Sequence, residues 1–154
     1  MTINCSTGFR TGILGPQSFN DIMGGGVVQI YTGPQPPNAD SPVQGTLLGV
    51  VSVNAQPWTP GNPAAGITYG VSGIAAVPAY NEQLAFIAQA SGTAGWFRII
   101  GNAYDSGQAS LTSPRIDGSI GNGSAPSDMV WGSTSIVIGQ SYPLNTLMFV
   151  LPPL

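Results

Sequence analysis

The side chains able to do chemistry in this sequence are few. They are Arg10, Arg98 and Arg115, the carboxylates Asp21, Asp40, Glu82, Asp105, Asp117 and Asp128, and the single thiol Cys5, with no lysine and no histidine. Without imidazole there is no Ser-His or Cys-His nucleophile pair and no His-ligated metal. Without an ε-amine there is no Walker-type phosphate loop, Schiff base or Ser-Lys dyad. Asp105 (NAYDSGQ), Asp117 (RIDGSIGNGS) and Asp128 (SAPSDMV) could gather round a hard cation through oxygen ligands. Asp before Gly or Ser is turn chemistry, however, and EF-hand spacing is absent, so turns are expected and no metal or other cofactor is. Glu82 with an aspartate could form a glycosidase pair, but in AYNEQL it reads as a solvated turn residue. The run 70–74 (GVSGI) matches a nucleophile elbow only in part, since its second glycine comes one position early and no base exists to activate Ser72. The expectation is a protein that is not an enzyme.

Binding chemistry has more to work with. Trp58, Trp96 and Trp131 are candidate stacking platforms for a sugar. Trp96 and Trp131 fall inside strand patterns, where a large ring is more often core or interface, while Trp58 belongs to a Pro-rich loop over which it can pack as a plug. Arg98 alternates with Phe97 and Ile99 in WFRII and Arg115 opens RIDGSI, so neighbouring strands would project both guanidinium groups from one face. Two readings follow: an intramolecular pair with Asp117 or Asp105, or an anchor at a protein interface, where arginine is enriched. Arg10 lies among Gly, Thr and Ser with little local core to cover, which points to contact with another chain. The interface candidates are therefore Arg10, Phe19, Trp58, Trp96, Arg98 and Arg115.

These groups must be positioned by short strands. Apolar runs rich in β-branched and aromatic residues, bounded by Gly, Pro, Asn or Ser, occur at 27–32, 46–53, 67–72, 84–90, 95–100, 115–120, 129–131, 135–138 and 146–151. One helical turn is expected at 18–23, with Ser18 as N-cap, Asp21 in the first turn and Gly24 as stop; another is possible at 80–84. Residues 33–44 (GPQPPNADSPVQ) and 56–66 (QPWTPGNPAAG) read as ordered surface loops. The pattern predicts an all-β chain, an antiparallel β-sandwich of jelly-roll type with at most one or two short helical turns. Residues 1–25 read as an N-terminal arm docking on a neighbour, and 26–154 as the β-sandwich body.

At 154 residues the chain suits one domain. Only 6% of it is charged, where about 25% is usual. It is also 42% apolar, the opposite of a disordered composition. Three positive charges against six negative ones cannot neutralise a phosphate backbone, so no nucleic-acid partner is expected. The longest apolar run, 147–151, is five residues and cannot cross a bilayer, so no membrane partner is expected either. No targeting segment is visible at 1–10, and a soluble protein made in the cytoplasm is the expectation. Soluble surfaces normally carry roughly 25–35% charged residues. A chain this neutral must cover itself with Ser, Thr, Asn, Gln and Gly, and such surfaces associate readily. Permanent assembly, including with itself as a homodimer or homotrimer, explains the composition better than a free monomer.

Three stretches in order, IYTGPQPPNADSPVQGTLLGVVSV (30–53), ASGTAGWFRIIG (90–101) and RIDGSIGNGSAPSDMVWGSTSIVIGQS (115–141), resemble small virion proteins of tailed bacteriophages. The resemblance implies a capsid decoration, or cement, protein. Such proteins typically have β-sandwich or jelly-roll folds, form dimers or trimers, and clamp neighbouring major capsid proteins on the outer surface of the head. On that footing residues 1–25 lie across the capsid or an adjacent subunit, the chain is made in the host cytoplasm, and Arg10, Arg98 and Arg115 are contact candidates. A tail or adhesion-associated virion protein and a carbohydrate-binding module on the phage surface are the alternatives.

Overall fold

The computed structural model describes residues 3–73, 75–79, 82–145 and 147–150. The turn expected at 80–84 and the strand expected at 146–151 fall in part outside the described residues. The elements run β1 Asn4–Cys5, α1 Thr7–Leu14, α2 Phe19–Met23, β2 Val27–Thr32, β3 Leu47–Val53, β4 Tyr69–Ser72, β5 Ala75–Pro78, β6 Leu84–Ile87, β7 Gly92–Ile100, β8 Arg115–Gly121, β9 Met129–Val130, β10 Ser135–Ile136, β11 Ser141–Leu144 and β12 Phe149–Val150. The larger sheet has the order β1-β8-β7-β2-β3-β6-β11, with β9 added to β8 and β10 to β7, and a second sheet has the order β12-β5-β4. Apart from the short parallel pair β8–β9, every pairing is antiparallel. The chain is thus all-β and sandwich-like, as its strand-and-turn pattern predicts.

The centre of the large sheet is covered on both faces, since every residue of β7 from Trp96 to Ile100 is buried. Register sorts these side chains. Val28 pairs with Ile99 and Ile30 with Phe97, and Ile99 pairs in turn with Ile116. These residues point into the hydrophobic core with Val51 and Phe86. Gly49 leaves room for that packing, because a Cβ there would lie 2.1 Å from the Phe86 ring. On the opposite face Tyr31 pairs with Trp96, Gln29 with Arg98, and Arg98 with Asp117. This second face lies beneath the irregular segments 33–46 and 102–114, which take its hydrogen bonds.

The start of the chain departs from the expected arm. Its described part is built into the body: Asn4 and Cys5 pair with Asp117 and Ile116 as an edge strand. Ser6 then ties three elements together. Its Oγ donates to Ser113 O at 2.9 Å and accepts from Arg115 N at 2.8 Å and from Phe9 N at 3.1 Å, the last as N-cap of α1. Phe9 and Met23 are core residues. Helix α1 was not expected, because its two glycines and two threonines are poor helix formers. Gly8 is there for close approach, since a Cβ on it would stand 2.3 Å from Thr112 O. Helix α2 follows expectation, with a capping box between Ser18 and Asp21 and a stop at Gly24. Strands β5 (AAVP) and β11 (SYPL) were also missed, the first for its small residues and the second for Pro143, which is admitted because β11 is an edge.

Removal of residues 1–25 should therefore unfold the chain. It deletes Phe9 and Met23, whose truncation alone costs about 2–5 kcal/mol each, together with a strand of the sheet. The expected result is loss of the cooperative thermal transition by circular dichroism. A truncated chain that melts as the full chain does would restore the separable arm.

Candidate interaction surface

The second face of the large sheet holds two ion pairs. Arg98 stands opposite Asp117 in the β7–β8 ladder. Its Nε and Nη2 donate to Asp117 Oδ1 and Oδ2, both at 2.7 Å, and both side chains are fully buried. Arg115, two residues before Asp117 and so on the same face, reaches into the 102–114 segment. Its Nε donates to Asp105 Oδ2 at 2.6 Å and its Nη2 to Asp105 Oδ1 at 2.5 Å. The Nη2 groups also reach loop carbonyls, Arg98 Nη2 to Ser41 O at 3.1 Å and Arg115 Nη2 to Gln108 O at 2.8 Å, while the buried Arg98 Nη1 has no hydrogen-bond partner among the described residues. The Trp96 ring is stacked on Tyr31 at 4.6 Å, lies 5.4 Å from the Arg98 guanidinium carbon, and donates from Nε1 to Gln44 O at 3.1 Å. The layer fastens segments 33–46 and 102–114 to the sheet.

Of the two readings of Arg98 and Arg115, the intramolecular pairs are the ones formed. Both arginines and Trp96 are buried within the chain, so none of the three anchors an interface, and that expectation is corrected. Asp117 is likewise a strand residue and not a turn residue, because the register sets it against a guanidinium. Asp105 does make the expected turn, accepting from Gly107 N at 2.9 Å. Burial pushes the Asp117 carboxyl up, against the opposing pull of Arg98. Burial acts the same way on Asp105, but there the Arg115 bonds and charge and the Gly107 N–H prevail and hold the carboxyl below its ordinary value.

With two arginines and two aspartates so enclosed, five charged residues remain for a surface of 8063 Å²: Arg10, Asp21, Asp40, Glu82 and Asp128. The carboxylates are engaged locally. Asp40 accepts from Thr7 N and Oγ1, Glu82 from Thr68 N, and Asp128 from Ser119 N and Oγ, while Asp21 closes the α2 capping box. Arg10 is exposed and is the one arginine without an ion pair among the described residues.

Arg10 stands at an apolar groove of about 530 Å³ between α1 and the β4–β5 hairpin, lined also by Cys5, Phe9, Leu14, Phe19 and Val71. Phe19 packs edge-on against Tyr69 at 5.0 Å and lies 5.2 Å from Phe149. Leu14 and Val71, 86% and 84% exposed, are the most exposed large apolar side chains among the described residues, and both belong to this groove. Burial pushes the Cys5 thiol up, away from the reactive thiolate, so it serves as apolar lining. A larger cavity of about 800 Å³ against Phe97, Ile99 and Ile116 shares Phe19 and Phe149 with the groove.

Of the six expected interface residues, two line this groove, Arg10 and Phe19, while Trp96, Arg98 and Arg115 meet in the buried layer. Trp58 is half-buried and donates from Nε1 to Gly25 O at 2.8 Å, which ties its loop to the segment before β2. Trp131 is half-buried beside Phe86, so none of the three tryptophans is an exposed side chain. Leu14 and Val71 escaped sequence reasoning, Leu14 because α1 was unforeseen and Val71 because an apolar strand residue does not reveal whether its strand is an edge. No family model, curated protein or solved structure matches the chain.

Asp117→Asn should cost about 3–5 kcal/mol of unfolding free energy in denaturant titration, because it leaves a buried guanidinium without its counter-charge. The double variant Arg98→Met/Asp117→Leu should recover most of that loss, and a neutral Asp117→Asn would show that the pair does not hold the loops. Acid should act through Asp105. Asp105, shifted down, supplies stability that is complete above about pH 3.9 and lost as the pH falls through its folded value. Asp105→Asn should flatten the acid limb of the melting temperature against pH; an unchanged limb would contradict the assignment.

Proposed function

We propose that the chain is a structural virion protein, a decoration or cement protein that stabilises the capsid of a tailed bacteriophage by bridging major capsid proteins on the outer surface of the head. The observation that carries this is the surface: five charged residues over 8063 Å², with Leu14 and Val71 standing out around an apolar groove. Charge keeps free soluble proteins apart, and a surface without it favours lasting contact. The all-β body, jelly-roll-like on the resemblance, supplies a stiff element, and its two long irregular segments are clamped by buried ion pairs, which suits a mechanical load. Outward charge consists of one arginine and four carboxylates, the wrong balance for nucleic acid. Among the described residues no helix is long and apolar enough to cross a membrane. Bridging needs no catalytic group. Weak contacts repeated over a shell add up to large collective resistance to internal DNA pressure.

Quantitative mass spectrometry of purified particles should find hundreds of copies per virion, and particles lacking the chain should release DNA at a lower temperature than intact ones. A handful of copies would move the protein to the tail. Absence from particles, or unchanged heat release without it, would remove the cement role, and glycan binding lost on Trp58→Ala would replace it with a carbohydrate-binding one.

A further inference from the structure

Asparagine is followed by glycine once in the sequence, at Asn122-Gly123. The step lies in the connection between β8 and β9, where residues 122–126 are all exposed. Its carboxamide is held by the oxygen alone. Asn122 Oδ1 accepts from Ser124 N at 3.1 Å and from Ser124 Oγ, whereas Asn122 Nδ2 and the Gly123 N–H have no hydrogen-bond partner among the described residues. Gly123 has no side chain to screen that N–H, and its φ of 86° is a conformation other residues rarely adopt. The sequence also has one aspartate followed by glycine, Asp117-Gly118, and it makes the contrast. There the ladder fixes the backbone, with Gly118 opposite Phe97, and Arg98 holds the carboxylate.

We propose that Asn122 is a modification site, at which the chain deamidates itself by an intramolecular acyl transfer that this loop promotes. The Gly123 nitrogen gives its proton to hydroxide and attacks Asn122 Cγ. A bond forms between them, closing a succinimide ring, and the Cγ–Nδ2 bond breaks as ammonia leaves with a proton taken from water. Water then opens the ring. Opening at Cγ leaves aspartate; opening at the main-chain carbonyl leaves isoaspartate, whose main chain runs through Cβ and Cγ. During the attack negative charge develops on Oδ1, and two donors of Ser124 are already aimed at that oxygen. Nucleophile and electrophile belong to adjacent residues, so the chain supplies proximity. Water and hydroxide are the only co-reactants. Either product puts a carboxylate where the amide stood, so an exterior with one arginine and four carboxylates, on a chain of net charge −3, gains a fifth carboxylate. The neutral surface therefore becomes more negative with time. The inference stands on this loop and is independent of the virion role.

Incubation of the folded full chain in neutral and mildly alkaline buffer, followed by peptide mapping and isoelectric focusing, tests it. Asn122 should exchange its amide for a carboxyl ahead of every other asparagine, with ammonia released mole for mole and a rate that rises in proportion to hydroxide. Ser124→Ala, which removes one of the two donors, should slow the reaction about threefold or more in the folded chain. In urea, where the loop geometry is lost, wild type and Ser124→Ala should react alike. Asn122→Gln should abolish the early acidic shift. Both positions are exposed, so the circular dichroism spectrum of each variant should match the wild type. A folded chain that keeps its Asn122 amide while the same chain in urea loses it would overturn the proposal. A folded rate indifferent to Ser124→Ala would overturn it as well.

Discussion

Two guanidinium groups lie beneath irregular backbone on one face of a β-sheet, and the rest of the structure depends on how they are satisfied. A buried charge is costly unless paired and fully hydrogen-bonded. Arg98 and Arg115 meet most of that demand with one aspartate each, and then with the carbonyls of Ser41 and Gln108, while Arg98 Nη1 is left without a hydrogen-bond partner among the described residues. Those carbonyls belong to segments that cannot form a ladder. Residues 33–46 contain four prolines, which lack the amide hydrogen a ladder requires. Buried main-chain oxygens still need donors, and the arginines supply them. The same contacts thus neutralise the arginines and fix the loops. The Trp96 ring, stacked on Tyr31 and 5.4 Å from the Arg98 guanidinium carbon, completes the layer.

The outside of the molecule follows from this arrangement. Drawing two of three arginines and two of six acids inward leaves a surface with little means of repelling neighbours. The hydrophobic core on the other face of the sheet is conventional in composition, and the N-terminal segment, knotted in through Ser6 and Phe9, belongs to it. The two most exposed large apolar side chains among the described residues, Leu14 and Val71, stand near α1 and β4 beside the one outward arginine. A neutral body with exposed apolar side chains is suited to being held among partners.

Much of this was legible from residue patterns. The runs at 27–32, 95–100 and 115–120 are β-branched and aromatic because they lie at the centre of the sheet, and all three became strands. The Ser18 cap and Gly24 stop of α2 were readable because capping is local chemistry. Helix α1 was not, since its glycines serve contacts with Thr112 and Ile22 that are distant in sequence. Strand register was equally hidden: it decided that Arg98 faces Asp117, and so chose between two readings that alternation alone left open. Arg10 and Phe19 could be picked out as candidates, but Leu14 and Val71 could not, because whether an apolar side chain is covered depends on which strands lie at an edge.

The central claim is that charge is enclosed so that the neutral exterior can be covered by neighbours in an assembly. An electron cryo-microscopy reconstruction of the intact particle tests it most directly. The expected density places the chain on the outer face of the shell, with Arg98 and Arg115 enclosed in its own fold and the groove at Leu14 and Val71 shielded by an adjoining subunit. A shell without the chain, or a chain seated there with that groove open to solvent, would contradict it.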